Sequence, residues 1–235
     1  MNVKRGLVIS LLAVSLPVAA KDINIQPLNQ SDFHALSEDL GAALSYKPLT
    51  PTAPLGITGF DVGIAVTDTK LQNSAVFAKA GADISNAAVP SLRVNKGLPF
   101  GIDVGVMAGA VPGTNARLYG GELRYAIVSG GVAMPAIGIR GSYTKLTGVD
   151  QLDFDTKSVD LSISKGFLMF TPYAGIGKVW VASAPSGVPA LSKESLSLNK
   201  VFVGANLNFG LVNLAFEGDR TGKASSYGAK LGFRF

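Results

Sequence analysis

The sequence predicts an all-β fold: an antiparallel up-and-down transmembrane β-barrel of about 10 strands, preceded by a short N-terminal helix. Three observations predict it. From Ile57 to the end of the chain, apolar and polar residues alternate with a period of two. The connections between these stretches are alternately longer and shorter. Aromatic residues gather near both ends of the stretches, with aliphatic residues between them. A period of two puts successive side chains on opposite faces of a strand, here one oily and one polar. A tilted strand crosses a bilayer in about 9–11 residues, and two aromatic belts belong at the two lipid–water interfaces. A soluble barrel with an oily interior shares the alternation but predicts no belts.

Composition agrees. Hydrophobic residues make up 47% of the 235 and charged residues only 16%, against a usual charged share of about 25%. The 28 glycines exceed the usual share of about 7%. Such a chain suits a sheet facing lipid and is too apolar for disorder. Lys4 and Arg5 lie in a removable segment, so the formal charge of +5 falls to about +3 in the remainder. Basic residues do not cluster, which argues against a nucleic-acid partner. There is no cysteine, hence no disulfide, thiolate metal site or cysteine nucleophile.

Residues 1–20 read as a signal peptide. A basic start is followed by the apolar run Leu7–Leu16, with small residues at Val18 and Ala20 before Lys21. No later stretch has about 18 consecutive apolar residues, so helical membrane spans are excluded. Residues 21–56 form a separate segment. Ser31 is a candidate cap for a helix running to about Ser45, with Phe33, Leu36, Leu40 and Leu44 on one stripe. Pro48, Pro51 and Pro54 then impose an extended path. Two placements stay open: a periplasmic tether under the barrel, or a plug whose apolar stripe enters the lumen.

Residues 57–235 hold the strands. Phe60, Val62, Ile64 and Val66 alternate with Asp61, Gly63, Ala65 and Thr67, and six further stretches before the last repeat the pattern. Val89–Lys96 and Phe170–Val181 are less regular, and the second is partly apolar on both faces. Asp68–Ala88, Thr147–Phe154 and Ala182–Ser195 are expected as longer external loops, and Gly97–Pro99 and Ser129–Gly131 as short periplasmic turns. The N-terminal segment is expected to be too long and polar to cross with the barrel. The last strand, Ser225–Phe235, places Tyr227, Ala229, Leu231, Phe233 and Phe235 on one face.

With that strand ending on an aromatic residue, the chain resembles the bacterial outer-membrane β-barrel proteins, whose closing strand typically ends in Phe after alternating apolar residues. The resemblance implies residence in the outer membrane, with its lipid and its assembly machinery as partners. It also implies that Tyr227, Leu231, Phe233 and Phe235 form the assembly signal.

The residues offer little catalytic chemistry. The lone histidine, His34, precedes the barrel, so no Ser–His or Asp–His arrangement is expected in the strands or their loops. No His/Cys cluster suggests a transition metal. Asp150, Asp153 and Asp155 lack the glycine and distal Glu of a calcium loop. No cofactor is expected, and the oligomeric state is open. The inward face carries Asp61, Asp103, Glu122, Arg124, Arg140, Asp160, Glu217, Lys230 and Arg234, charges of both signs that should pair with one another. Three functions compete. The first is a narrow channel or carrier for a small or apolar solute, gated by the N-terminal segment. The second is a structural or surface-interaction barrel, and the third, disfavoured by the missing histidine, is a membrane-embedded enzyme.

Changing Phe235 to a charged residue is expected to lower the yield of folded, heat-modifiable barrel several-fold more than the same change at Arg234. Equal wild-type yields for both variants would contradict the assignment of the terminal signal.

Overall fold

Ten strands hydrogen-bond in chain order, and the last closes on the first. The computed structural model describes residues 23–235, so the signal peptide assigned to residues 1–20 lies outside the described residues. The strands are β1 Phe60–Lys70, β2 Asn86–Gly97, β3 Ile102–Ala110, β4 Arg117–Ser129, β5 Ala136–Thr147, β6 Leu152–Ser164, β7 Phe170–Pro185, β8 Glu194–Phe209, β9 Val212–Thr221 and β10 Ala224–Arg234. Helix α1 spans Gln30–Leu44, and a second short helix, α2, spans Ser74–Lys79 in the β1–β2 connection.

Closure pairs Asp61 with Arg234 and Lys70 with Ser225, antiparallel throughout. An even number of antiparallel strands brings the start of β1 and the end of β10 to one end of the barrel. There Phe60 N–H donates to Phe235 O at 2.8 Å and Phe235 N–H returns the bond at 3.0 Å. We call this the turn end and the opposite one the loop end. A bulge between Ala126 and Val128 interrupts the β4–β5 register.

The oily positions of the period-two pattern face outward. Val62, Ile64, Leu92, Val106, Leu123, Leu161, Val203 and Leu231 are all exposed on the outer wall. Phe60 and Phe235 stack at 5.6 Å at the turn end, with the Lys96 ammonium 4.4 Å over the Phe60 ring. Toward the loop end, Tyr143 pairs with Lys157 and Lys157 with Trp180 in one outward row. Long basic side chains beside aromatic rings are what a lipid–water boundary selects.

The connections differ from the sequence expectation. β7 and β8 have 16 residues each and continue to Pro185 and from Glu194, so the loop between them is only 186–193. The Thr147–Phe154 loop shrinks to 148–151, because β6 starts at Leu152. The loop-end turn 222–223 is as short as the turn-end 210–211. Strict alternation of lengths fails because several strands continue past the outer apolar band.

The N-terminal segment departs further. It crosses with the barrel, inside it. Ile25 N–H donates to the Gln151 side chain and Asn24 N–H to Ala80 O, both at the loop end. Asn29, rather than Ser31, caps α1, accepting from Asp32 N–H at 2.8 Å. The helix descends the lumen with Phe33, Leu36, Leu40 and Leu44 buried. Residues 45–55 continue extended to the turn end, where Leu55 N–H donates to Asp103. Gly41 lets the helix touch the wall: a Cβ there would sit 2.4 Å from Val181 Cγ2.

The lumen has two storeys. At the loop end the α1 stripe packs on inward apolar residues, among them Leu118, Leu146, Phe154, Val179, Val181 and Leu198. At the turn end the inward residues are charged and polar, and the extended thread runs among them.

Ser37 Oγ donates to Ser183 Oγ at 2.9 Å, joining α1 to β7. In an otherwise cysteine-free chain, Ser37→Cys with Ser183→Cys is expected to oxidise to a disulfide in the folded barrel, seen as a mobility shift after denaturation without reductant. Failure to cross-link in the folded state would contradict the lumen path of α1.

Candidate functional site

The lumen thread and the charges around it are the candidate site. Inward placement of each charge follows from its strand position, one residue away from an outward apolar neighbour. Lys230 on β10 donates to both carboxylate oxygens of Asp61 on β1, at 2.7 and 2.6 Å, and Arg234 Nη1 lies 3.6 Å from the same carboxylate. Arg124 Nε on β4 donates to Asp103 on β3 at 3.0 Å. Arg140 on β5 lies 2.6 Å from Glu122 on β4 and 3.9 Å from Asp160 on β6. Among the described residues Glu217 on β9 pairs with no cation. It accepts from Tyr173 O–H at 2.9 Å and from Leu49 N–H at 2.8 Å. Three clusters thus form, and Glu217 stands apart from them.

The thread is bonded to eight of the ten strands, which fixes it inside a closed wall. Lys47 pairs with Asp219 on β9 at 2.8 Å. Its carbonyl accepts from Arg93 on β2, whose guanidinium also covers the Tyr46 ring at 5.2 Å. The Tyr46 carbonyl accepts from Lys200 on β8, which also reaches Asp160 at 3.2 Å. Arg124 donates to Thr50 Oγ1 and Pro51 O, both at 2.7 Å. Thr144 on β5 donates to Leu44 O, Thr52 donates to Ser162 on β6, and Ser37 donates to Ser183 on β7. Asp103 on β3 completes the set through Leu55. Buried polar groups must find partners, and these charges find many of theirs in the thread.

Arg93, Lys200, Asp219, Tyr173 and Lys47 belong to this network, although the sequence reading did not single them out. Asp219 carried a signal: it lies two residues after Glu217 and so shares its face. Lys47 carried none, since it lies in the proline-rich stretch. The stripe residues Phe33, Leu36, Leu40 and Leu44 lie in the upper storey. On the outer wall, Tyr227, Leu231, Phe233 and Phe235 are 49–72% exposed, and Phe235 stacks on Phe60.

His34 is not remote from the barrel, contrary to the expectation that set it apart. α1 carries it to the loop end, where Nδ1 lies 2.8 Å from Glu194 of β8. Among the described residues no hydroxyl hydrogen-bonds this imidazole. Asp153 and Asp155 lie outward on β6, with Asp153 paired to Lys145, while Asp150 is in the 148–151 loop. Among the described residues no group of three His, Cys, Asp or Glu side chains converges to hold a metal.

An apolar outer band, two aromatic belts and a closed antiparallel wall occur together here. This is the fold of a transmembrane β-barrel. No protein-family model matches the chain, and no curated protein matches it. Solved structures do match. The outer-membrane protease OmpT from Escherichia coli aligns with 75% of this chain and 96% of its own, at 11% identity and a TM-score of 0.40. The KdgM porin, in complex with disordered oligogalacturonate, aligns with 74% of this chain and 99% of its own, at 9% identity and a TM-score of 0.38. The translocator domain of the autotransporter NalP from Neisseria meningitidis covers 90% of this chain and 99% of its own, at 10% and 0.38. These neighbours include a protease, a porin and a translocator, so the fold they share assigns no activity to this barrel.

Asp61→Asn leaves the Lys230 ammonium buried without its counter-charge and is expected to destabilise the barrel by about 3–5 kcal/mol. Adding Lys230→Met is expected to recover most of that loss. Urea unfolding in detergent checks both, and an unchanged midpoint for Asp61→Asn would contradict the pairing.

Proposed function

We propose that this protein is a self-plugged outer-membrane barrel, closed to steady flux, that acts through its outer surfaces and not through its lumen. This is the structural or surface-interaction reading. The observation that carries it is the occupancy of the lumen by residues 30–55, hydrogen-bonded to strands β2 through β9. A ten-stranded barrel is wider than the eight-stranded kind that side chains just fill, and here the chain supplies its own filling. Burial of each of Phe33, Leu36, Leu40 and Leu44 contributes roughly 1.5–3 kcal/mol to holding α1 in place.

A second reading, a gated conduit for a small solute, is favoured by one feature. Residues 45–55 are held mainly by hydrogen bonds to charged groups, which water can replace. Opening on this reading moves the thread while α1 stays anchored or tilts.

Planar-bilayer recording separates the two. The wild-type barrel is expected to show no steady conductance, while Gly41→Leu, which drives a side chain into Val181, is expected to show open steps. Voltage-dependent wild-type steps that disappear when Ser37 and Ser183 are cross-linked as cysteines would establish the conduit. Steady, ungated wild-type conductance would overturn both readings.

A further inference from the structure

The outer wall is not uniformly covered. Between Tyr119 on β4 and Phe216 on β9 runs a groove of about 740 Å³, within the range of about 300–1,000 Å³ typical of ligand pockets. Its floor is shallow because the outward side chains there are small: Ala108, Ala110, Ala229 and Pro90. Lys230 and Ser91 contribute to the wall beneath, but their side chains are buried on the lumen side.

The groove lies over a discontinuity. β2 pairs with β1 up to Asn86, but its ladder with β3 ends at Ser91–Gly109. The next position is Pro90. A Cβ built on Gly109 would lie 3.0 Å from Pro90 O, so the Pro90 carbonyl faces β3. Along a strand the N and O of one residue point to the same neighbour, so the missing N–H also faces β3, and the ladder loses a donor. Just inside the seam, Val89 and Val111 line an apolar cleft with Leu40 and Leu44.

One charge borders the groove outside. Arg117 is exposed at the loop end of β4, two residues from Tyr119 on the same outward face. It has no carboxylate within 4.0 Å among the described residues, and its guanidinium reaches only Ala116 O at 3.3 Å. An unpaired guanidinium at the aromatic belt above an apolar groove fits a phosphate above a hydrocarbon chain. A second outer groove, of about 520 Å³ beside Ile176 and Val203, has no charged residue in its lining.

We propose that the groove over the β2–β3 seam is a binding site for an anionic phospholipid, with one acyl chain along Ala108 and Pro90 and the phosphate on Arg117. The site goes beyond the plugged-barrel reading and holds whether or not the lumen conducts, because the groove lies outside the wall.

The test uses the full chain in vesicles of phosphatidylcholine containing brominated phosphatidylglycerol or, separately, brominated phosphatidylcholine. Trp180, the only tryptophan, is replaced by Phe, and Tyr119→Trp supplies a fluorescent reporter in the groove. Quenching of this groove reporter is expected to show a preference for phosphatidylglycerol of about threefold, the scale of one exposed ion pair. A Val203→Trp reporter over the second groove is expected to show none. Arg117→Gln should bring the preference at the groove reporter to unity. Ala108→Phe, which fills the groove, should reduce quenching by both lipids. Equal quenching of the groove reporter by the two lipids overturns the proposal, as does a preference that survives Arg117→Gln. If Ala108→Phe fails to fold, the Arg117→Gln comparison decides alone.

Discussion

A closed ring of ten strands encloses more space than its inward side chains fill, and that space lies out of reach of both lipid and bulk water. Every inward charged group must then find counter-charges or hydrogen-bond partners inside the ring. The chain meets this constraint by feeding its own residues 30–55 through the lumen. Asp61 pairs with Lys230 between neighbouring strands, and Asp103 with Arg124, a pair that also bonds the thread. Glu217, Asp219 and Arg93 take partners from the thread: Leu49 N–H, Lys47 Nζ and the Lys47 carbonyl. The wall and the thread are therefore one polar structure, and the apolar stripe of α1 holds its upper end.

The division into two storeys follows from the chemistry of the two halves of the thread. A helix satisfies its own backbone and can present a plain oily face, so it suits an apolar upper lumen. A proline-rich extended strand has no internal hydrogen bonds, so its carbonyls need donors. Arg93, Arg124 and Lys200 supply them. The same logic governs the outer wall in reverse. Lipid offers no hydrogen bonds, so ladder bonds must close around the ring, and the place where a proline ends one ladder coincides with small side chains and a groove.

The lipid-facing half of this fold was legible in the sequence, because one oily and one polar side per strand leaves a clean period of two. Val62, Ile64, Leu161 and Val203 are outward by that rule alone. The inward polar positions were legible as the complement of that pattern, but their pairing was not, because register and closure decide which charges meet. The upper lumen was obscured where both faces of a strand are apolar: at Val179 and Val181 the alternation is erased, and the residues read as an imperfect strand. Loop lengths were overestimated at Ala182–Pro185 and Glu194–Ser195, where strands continue past the membrane into a polar composition that resembles loop. The path of residues 30–55 was undecidable in principle, since one oily stripe and three prolines serve a tether and a plug equally well.

Whether the thread occupies the lumen in solution is decided by hydrogen exchange of the amides of residues 46–52 in the folded barrel. These amides have no regular secondary structure of their own, so any protection must come from the lumen. Leu49 and Thr52, bonded to Glu217 and Ser164, are expected to exchange orders of magnitude more slowly than an unstructured peptide and to approach the rates of β9 and β6. Exchange of both at unstructured rates, with the strands still protected, would contradict the lumen path.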